Sequence, residues 1–169
     1  MDFQLRSEFP FPLETVAAAL YDKALLPFLA KEMALVREIE RLEQTDDGTT
    51  VRRRVRYQPV PLIEKVGPKK VPPAAMAWIE ESTFDRRSNR AEFVNVAVVE
   101  KVRKLLDNSG TIALRDLGNG RTERVISGKL KVKVPLLGSI AEKLIYANAE
   151  KILQEERAVF LRYLQSRAG

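Results

Sequence analysis

Two of the side chains that most often carry protein chemistry are missing from this 169-residue sequence, which contains neither His nor Cys. Their absence excludes thiolate nucleophiles, Ser-His-Asp and Cys-His pairs, iron–sulfur clusters, and zinc or haem held by His or Cys. Any general acid or base must be Asp, Glu, Lys or Tyr. No paired carboxylates stand out, because Glu80 and Glu81 are neighbours on an expected strand and point to opposite faces. Gly118-Asn119-Gly120 reads as a turn and not a phosphate loop, since a strand rather than a helix follows it. No metal and no cofactor is expected.

The chemistry that remains lies in charges on faces that should be apolar. Strand alternation puts Arg53, Glu80 and Arg124 inward, with Arg115 and Glu92 as further members of the set. A charge inside a sheet's concave face is costly unless paired or hydrated. Two readings follow. One is a buried Arg–Glu pair. The other is a polar anchor for a ligand carboxylate or phosphate, which a planar guanidinium binds bidentately. Tyr57 and Trp78, with Tyr146 and Phe84, are expected as cavity wall or core rather than stacking platforms, and Ile126 and Leu144 as apolar lining.

A second constellation is the segment PVPLIEKVGPKKVPP, which holds 5 of the 9 prolines. Val60, Leu62, Ile63, Val66 and Val71 alternate there with Lys65, Lys69 and Lys70. A long apolar loop is uncommon in a compact domain. It reads either as a semi-rigid cover on the core or as a gate. In the gate reading Leu62 and Ile63 insert into a membrane while Lys69 and Lys70 meet anionic headgroups.

Charge is unevenly spread. Residues 1–50 carry 5 basic and 10 acidic side chains, residues 51–135 carry 19 and 9, and the whole chain is +6. The run Arg52-Arg53-Arg54-Val55-Arg56 has no RNA-binding motif beside it and reads as a solvated strand face opposite glutamates, which argues against a nucleic-acid partner. No basic stretch followed by a long apolar run opens the chain, so no signal peptide and a cytoplasmic location are expected.

The elements that must position these residues follow from periodicity. Residues 2–9 alternate as a half-buried strand, and Pro10 and Pro12 end it. Two short helices are expected over 12–21 and 23–33, with Asp22 capping the second and Pro27 either in its first turn or marking a bend. Strands are expected at 35–44, 49–57, 75–86 and 91–97, then at 111–117 and 121–134, and 98–106 suits either a strand extension or a short helix. Ser139 and Glu142 have capping-box spacing ahead of a long helix over 140–165. On that helix Glu150, Lys151, Glu155, Glu156 and Arg162 lie mostly opposite the apolar face.

This order, together with the opening DFQLRSEFPFPLETVAAAL and the junction KVKVPLLGSIAEKL, resembles the START and birch-pollen-allergen superfamily, also called SRPBCC or helix-grip. The look is that of the bacterial branch in which Val-Pro-Leu-Leu-Gly precedes the last helix. The resemblance implies one α+β domain over residues 1–169, a curved seven-stranded antiparallel sheet with two short helices, and the C-terminal helix across its concave face. It also implies a cavity that often holds an apolar ligand, in a superfamily of lipid carriers, aromatase/cyclases, hormone receptors and chaperone activators. The expected function is binding of a hydrophobic small molecule, lipid or polyketide-like, as a carrier, sensor or sequestering protein. Two alternatives stand beside it. One is a cyclase or dehydratase using Glu80 or Tyr57 as acid or base, and the other is a protein-interaction module using the basic outer face.

Overall fold

The computed structural model describes residues 1–168. Strand β1 (Asp2–Phe9) turns alternate side chains inward, ending on the fully buried Phe9. Helices α1 (Leu13–Leu20) and α2 (Leu25–Glu32) follow. Each is only 8 residues long, too short to persist alone, so their stability comes from burying Val16, Leu25, Leu26 and Leu29. Then come β2 (Val36–Asp46), β3 (Thr50–Pro59), the tiny hairpin β4 (Lys65–Val66) and β5 (Lys69–Lys70), and β6 (Trp78–Asp85). After β7 (Arg90–Ala97) and the short α3 (Glu100–Arg103), β8 (Leu106–Gly118) and β9 (Arg121–Val132) lead to α4 (Gly138–Ala168).

Seven strands form one antiparallel sheet in the order β1-β9-β8-β7-β6-β3-β2. Helix α4 packs against β9, α2 and β1 across its concave side. The expected α+β helix-grip architecture is therefore present. The core gathers where α4 meets β1 and the short helices, with the Phe9 and Phe160 rings edge-on at 5.1 Å. The β8–β9 hairpin closes on Asn119-Gly120, both at positive φ, which matches the right-handed strand twist. Further along that hairpin Gly128 leaves room for Phe3, because an added Cβ would lie 2.8 Å from the ring. Among the described residues no helix is long and apolar enough to cross a membrane.

Several expectations need correction. The irregular alternation over 35–44 comes from two register shifts in β2, between Val36 and Glu38 and between Arg41 and Glu43. Segment 98–106 holds the short α3 and then the first residue of β8, which starts five residues before the expected 111. Met76 belongs to a 3-10 turn (Pro73–Met76) and not to β6. Asp22 accepts a hydrogen bond from the Ala24 N–H at 2.9 Å, but Ala24 itself is the N-cap of α2. The capping box does not form. Helix α4 starts at Gly138, and Glu142 accepts instead from the Val132 N–H at 3.0 Å and faces Lys131 at 3.7 Å. The end of β9 runs past the start of β1, so this buried N–H has no partner on that strand and takes the carboxylate. Arg115 and Glu92 face outward and are exposed, because the registers of β7 and β8 put Phe93, Asn95, Ile112 and Leu114 inside.

Phe160 is fully buried against Phe9, so Phe160→Ala should lower stability by about 3–5 kcal/mol in denaturant unfolding. A loss below about 1 kcal/mol would mean that α4 does not anchor there.

Candidate functional site

Beneath α4 the sheet curls away and leaves a cavity of about 560 Å³. Its floor is the inner face of the sheet, its roof the first half of α4, and one side is covered by the segment from Pro59 to Ala77. Of the residues expected from sequence, Arg53, Tyr57, Trp78, Glu80, Arg124 and Ile126 line it, as do Leu62, Ile63, Lys69 and Lys70 from the proline-rich segment. Leu144 does not. The helix turns Ala141, Ile145 and Ala149 toward the cavity instead.

Register explains how the floor is built. Tyr57 on β3 pairs with Trp78 on β6, and the two rings stack at 5.0 Å and 15°. Glu80 lies two residues along β6 on the same face, opposite Val55 on one side and Asn95 on the other. Asn95 Nδ2 donates to Asn108 Oδ1 at 2.5 Å, and Asn108 Nδ2 donates to the Lys129 carbonyl at 3.2 Å.

The inward charges are arranged unequally. Arg124 is 4% exposed and makes two parallel bonds to Glu156 of α4, at 3.0 and 2.5 Å. Its guanidinium also lies 5.3 Å from the Phe9 ring centre. The expected buried Arg–Glu pair thus exists, but its acid is Glu156, which the helical pattern had put mostly opposite the apolar face. Arg53 donates to the Leu20 carbonyl at 2.9 Å and sits over the Tyr21 ring at 4.9 Å. Glu80 makes no hydrogen bond or ion pair among the described residues, and its remaining surface opens into the cavity. Burial pushes its carboxyl above the ordinary range. Arg53 and Arg124 oppose that shift, and Glu156 adds to it. Burial, reinforced by the nearby Glu80, also raises Tyr57, while burial pushes Tyr21 up to about 12. Both phenols are therefore neutral hydrogen-bonding groups and not bases near neutrality.

Sequence reasoning missed Glu156, Asn95 and Asn108. The two Asn did carry a signal, since both sit at inward positions of strands, where a polar amide needs a partner. Glu156 carried none, because only the position of α4 over β9 turns it toward Arg124. The proline-rich segment closes on itself through the Val71 N–H donating to the Glu64 carbonyl at 2.8 Å. It is tied down by the Val60 N–H donating to the Leu35 carbonyl at 3.0 Å and by Gln58 Nε2 donating to the Pro73 carbonyl at 3.2 Å. It turns Leu62, Ile63 and Val66 inward and leaves Lys65, Lys69 and Lys70 exposed.

A family model described as "Protein of unknown function (DUF2505)" matches residues 4–164. Among curated proteins none matches. Solved structures do. A protein from Thermus thermophilus superposes with a TM-score of 0.68 at 19% identity, with all of both chains covered. The Zhui aromatase/cyclase from Streptomyces sp. R1128 gives 0.67 at 15%, covering 100% of this chain and 96% of that one. A START superfamily protein from Mycobacterium smegmatis gives 0.56 at 13%, covering 98% and 97%. At these identities the similarity establishes the fold, a START-like helix-grip domain.

The folded state holds the Glu80 proton more tightly than the unfolded chain does. Its contribution to stability is therefore present below the ordinary carboxyl value of 4.5 and is lost as pH rises through the raised value. The charged groups facing it are Arg53, Arg124 and Glu156. Glu80→Gln removes this titration, so its Tm should match wild type near about pH 4 and exceed it near about pH 8. Each kcal/mol gained corresponds to ~2–4 °C. A Tm difference that is the same at both pH values would show that Glu80 titrates as an ordinary carboxyl.

Proposed function

The chain belongs to the DUF2505 family, and we propose that it holds a hydrophobic small molecule, lipid or polyketide-like, in the cavity beneath α4, as a carrier, sensor or sequestering protein. The observation that supports this is the cavity itself. Its volume of about 560 Å³ falls in the range of small-molecule sites, roughly 300–1,000 Å³. Its walls are mostly aliphatic and aromatic, with a few polar groups gathered on the floor. A void of this size left empty would forfeit dispersion contacts along its whole lining, and an apolar occupant would restore them.

A second reading is catalytic, and one observation favours it. Glu80 presents an unpaired carboxyl of raised pKa to the cavity, as a general acid requires. The Zhui aromatase/cyclase shares the fold. In this reading Glu80 donates the proton, and Tyr57 helps to orient the substrate as a neutral donor.

Native mass spectrometry of gently purified protein should detect a bound organic molecule. Ala149→Phe, which puts a ring into the cavity from α4, should lower its occupancy at least tenfold. Equal occupancy in wild type and variant would place the molecule outside the cavity and end the carrier reading. Conversion of the extracted molecule on incubation with fresh protein would select the catalytic reading.

The covered side of the cavity supports a peripheral contact with anionic membranes. Lys65, Lys69 and Lys70 are exposed there. Gly67 of the small hairpin abuts Leu137, next to Leu136, which is 99% exposed. Each lysine near an anionic surface contributes on the order of 1 kcal/mol. Replacing Lys65, Lys69 and Lys70 by Gln should therefore weaken sedimentation with anionic vesicles by at least tenfold, and salt should weaken the wild type likewise. Wild-type binding that is indifferent to anionic lipid would remove the membrane from the proposal.

A further inference from the structure

The polar groups on the cavity floor say which ligand oxygen they suit. Arg124 is occupied by Glu156 through two hydrogen bonds. Arg53 is held by the Leu20 carbonyl and the Tyr21 ring. Glu156 offsets Arg124 on the floor, while Lys69 and Lys70, which also line the cavity, are exposed on its covered side. Of the two readings taken from sequence, the ion pair is realised at Arg124. Unspent hydrogen-bonding capacity remains at the buried Arg53 Nε, Arg124 Nε and Asn95 Oδ1, and at one pair of whole side chains. Tyr57 and Glu80 both line the cavity, and neither makes a side-chain hydrogen bond or ion pair. They are diagonal neighbours on one face, since Tyr57 pairs with Trp78 and Glu80 lies two residues further along β6. Long side chains reach each other across such a diagonal. Asn95, opposite Glu80, does not serve it, because that amide is turned to Asn108.

We propose that Tyr57 and Glu80 form the polar subsite of the cavity and take a neutral hydroxyl group, an alcohol or phenol on an otherwise apolar ligand. The ligand oxygen accepts from the Tyr57 O–H, and the ligand O–H donates to a Glu80 carboxyl oxygen. A hydroxyl is the small neutral group that donates and accepts at one atom, so it satisfies both partners. An ether or ketone of the same shape has no O–H to give, so it leaves the Glu80 acceptor oxygen unserved. A carboxylate would bring a further negative charge to a floor where Glu156 already disfavours ionisation of Glu80. The Tyr57–Trp78 stack fixes the phenol ring from one side, which pre-orients its O–H and lowers the ordering cost of binding.

This inference rests on the cavity being a ligand site, and the test separates the two. Calorimetric titrations compare 2-naphthol, 2-methoxynaphthalene and 2-naphthoate on the intact chain. 2-Naphthol should bind roughly tenfold or more tightly than the ether, the difference made by about one net hydrogen bond, and more tightly than the acid. Tyr57→Phe and Glu80→Leu should each shrink the naphthol-to-ether ratio several-fold. Unchanged ether affinity in both variants shows that fold and cavity survive the substitution. Equal binding of naphthol and ether in wild type, or a ratio that neither variant changes, overturns the hydroxyl subsite and leaves the cavity reading standing. Tighter binding of the acid overturns it in favour of an arginine anchor. Failure of all three probes to bind overturns the cavity reading and the subsite together.

Discussion

The bidentate contact between Arg124 and Glu156 is the interaction around which this domain is organised. It ties the middle of α4 to β9, the strand beside the β1 edge, with the guanidinium 5.3 and 5.9 Å from the Phe9 and Phe160 ring centres. A buried ion pair adds little net stability compared with an apolar pair of the same volume, yet losing one partner costs about 3–5 kcal/mol. Its value here is positional. Hydrophobic packing alone would let a long helix slide or rotate over a curved sheet, and two parallel bonds in fixed geometry do not.

That anchor divides the space under α4 into two zones. On the C-terminal side of Glu156, Val159, Phe160, Tyr163 and Leu164 close onto β1 and the two short helices and form the dense core. On the N-terminal side, Ala141, Ile145 and Ala149 meet a sheet that has already curled away, and the cavity opens. The small residues Ala141 and Ala149 on α4 keep that zone spacious. Fold stability and ligand space are thus carried by different halves of the same helix.

The same pair shapes the cavity's electrostatics. By consuming Arg124 it leaves Glu80 and Tyr57 as floor groups with unused hydrogen-bonding capacity, in surroundings where burial keeps both from ionising readily. The outer face of the sheet behaves in the opposite way. Arg54 reaches Glu81 at 3.2 Å, and Arg56 faces Glu40 across the β2–β3 ladder. One run of four arginines in five residues therefore splits into two chemistries by the pleat alone, with Arg53 at the cavity and its neighbours on the outer face.

The sequence by itself determined whatever depends on near neighbours in the chain. Alternation in β1, β3, β6 and β9 assigned Arg53, Tyr57, Trp78, Glu80, Arg124 and Ile126 to the inner face, because successive side chains in a strand must point to opposite sides. The order of the elements carried the fold class, and the missing His and Cys limited the chemistry. Tertiary structure decided the features that need two distant segments at once. Glu156 became the partner of Arg124 because α4 crosses β9 there. Glu142 left its capping box for the Val132 N–H, a donor ten residues upstream that the turn into α4 brings near. Leu144 turned away while Ile145 turned in, because a helix drifts about 100° per residue and only its docking angle selects the stripe that faces the sheet. Arg115 and Glu92 fell outside because inter-strand registers, set by cross-strand packing and not by local pattern, chose the face.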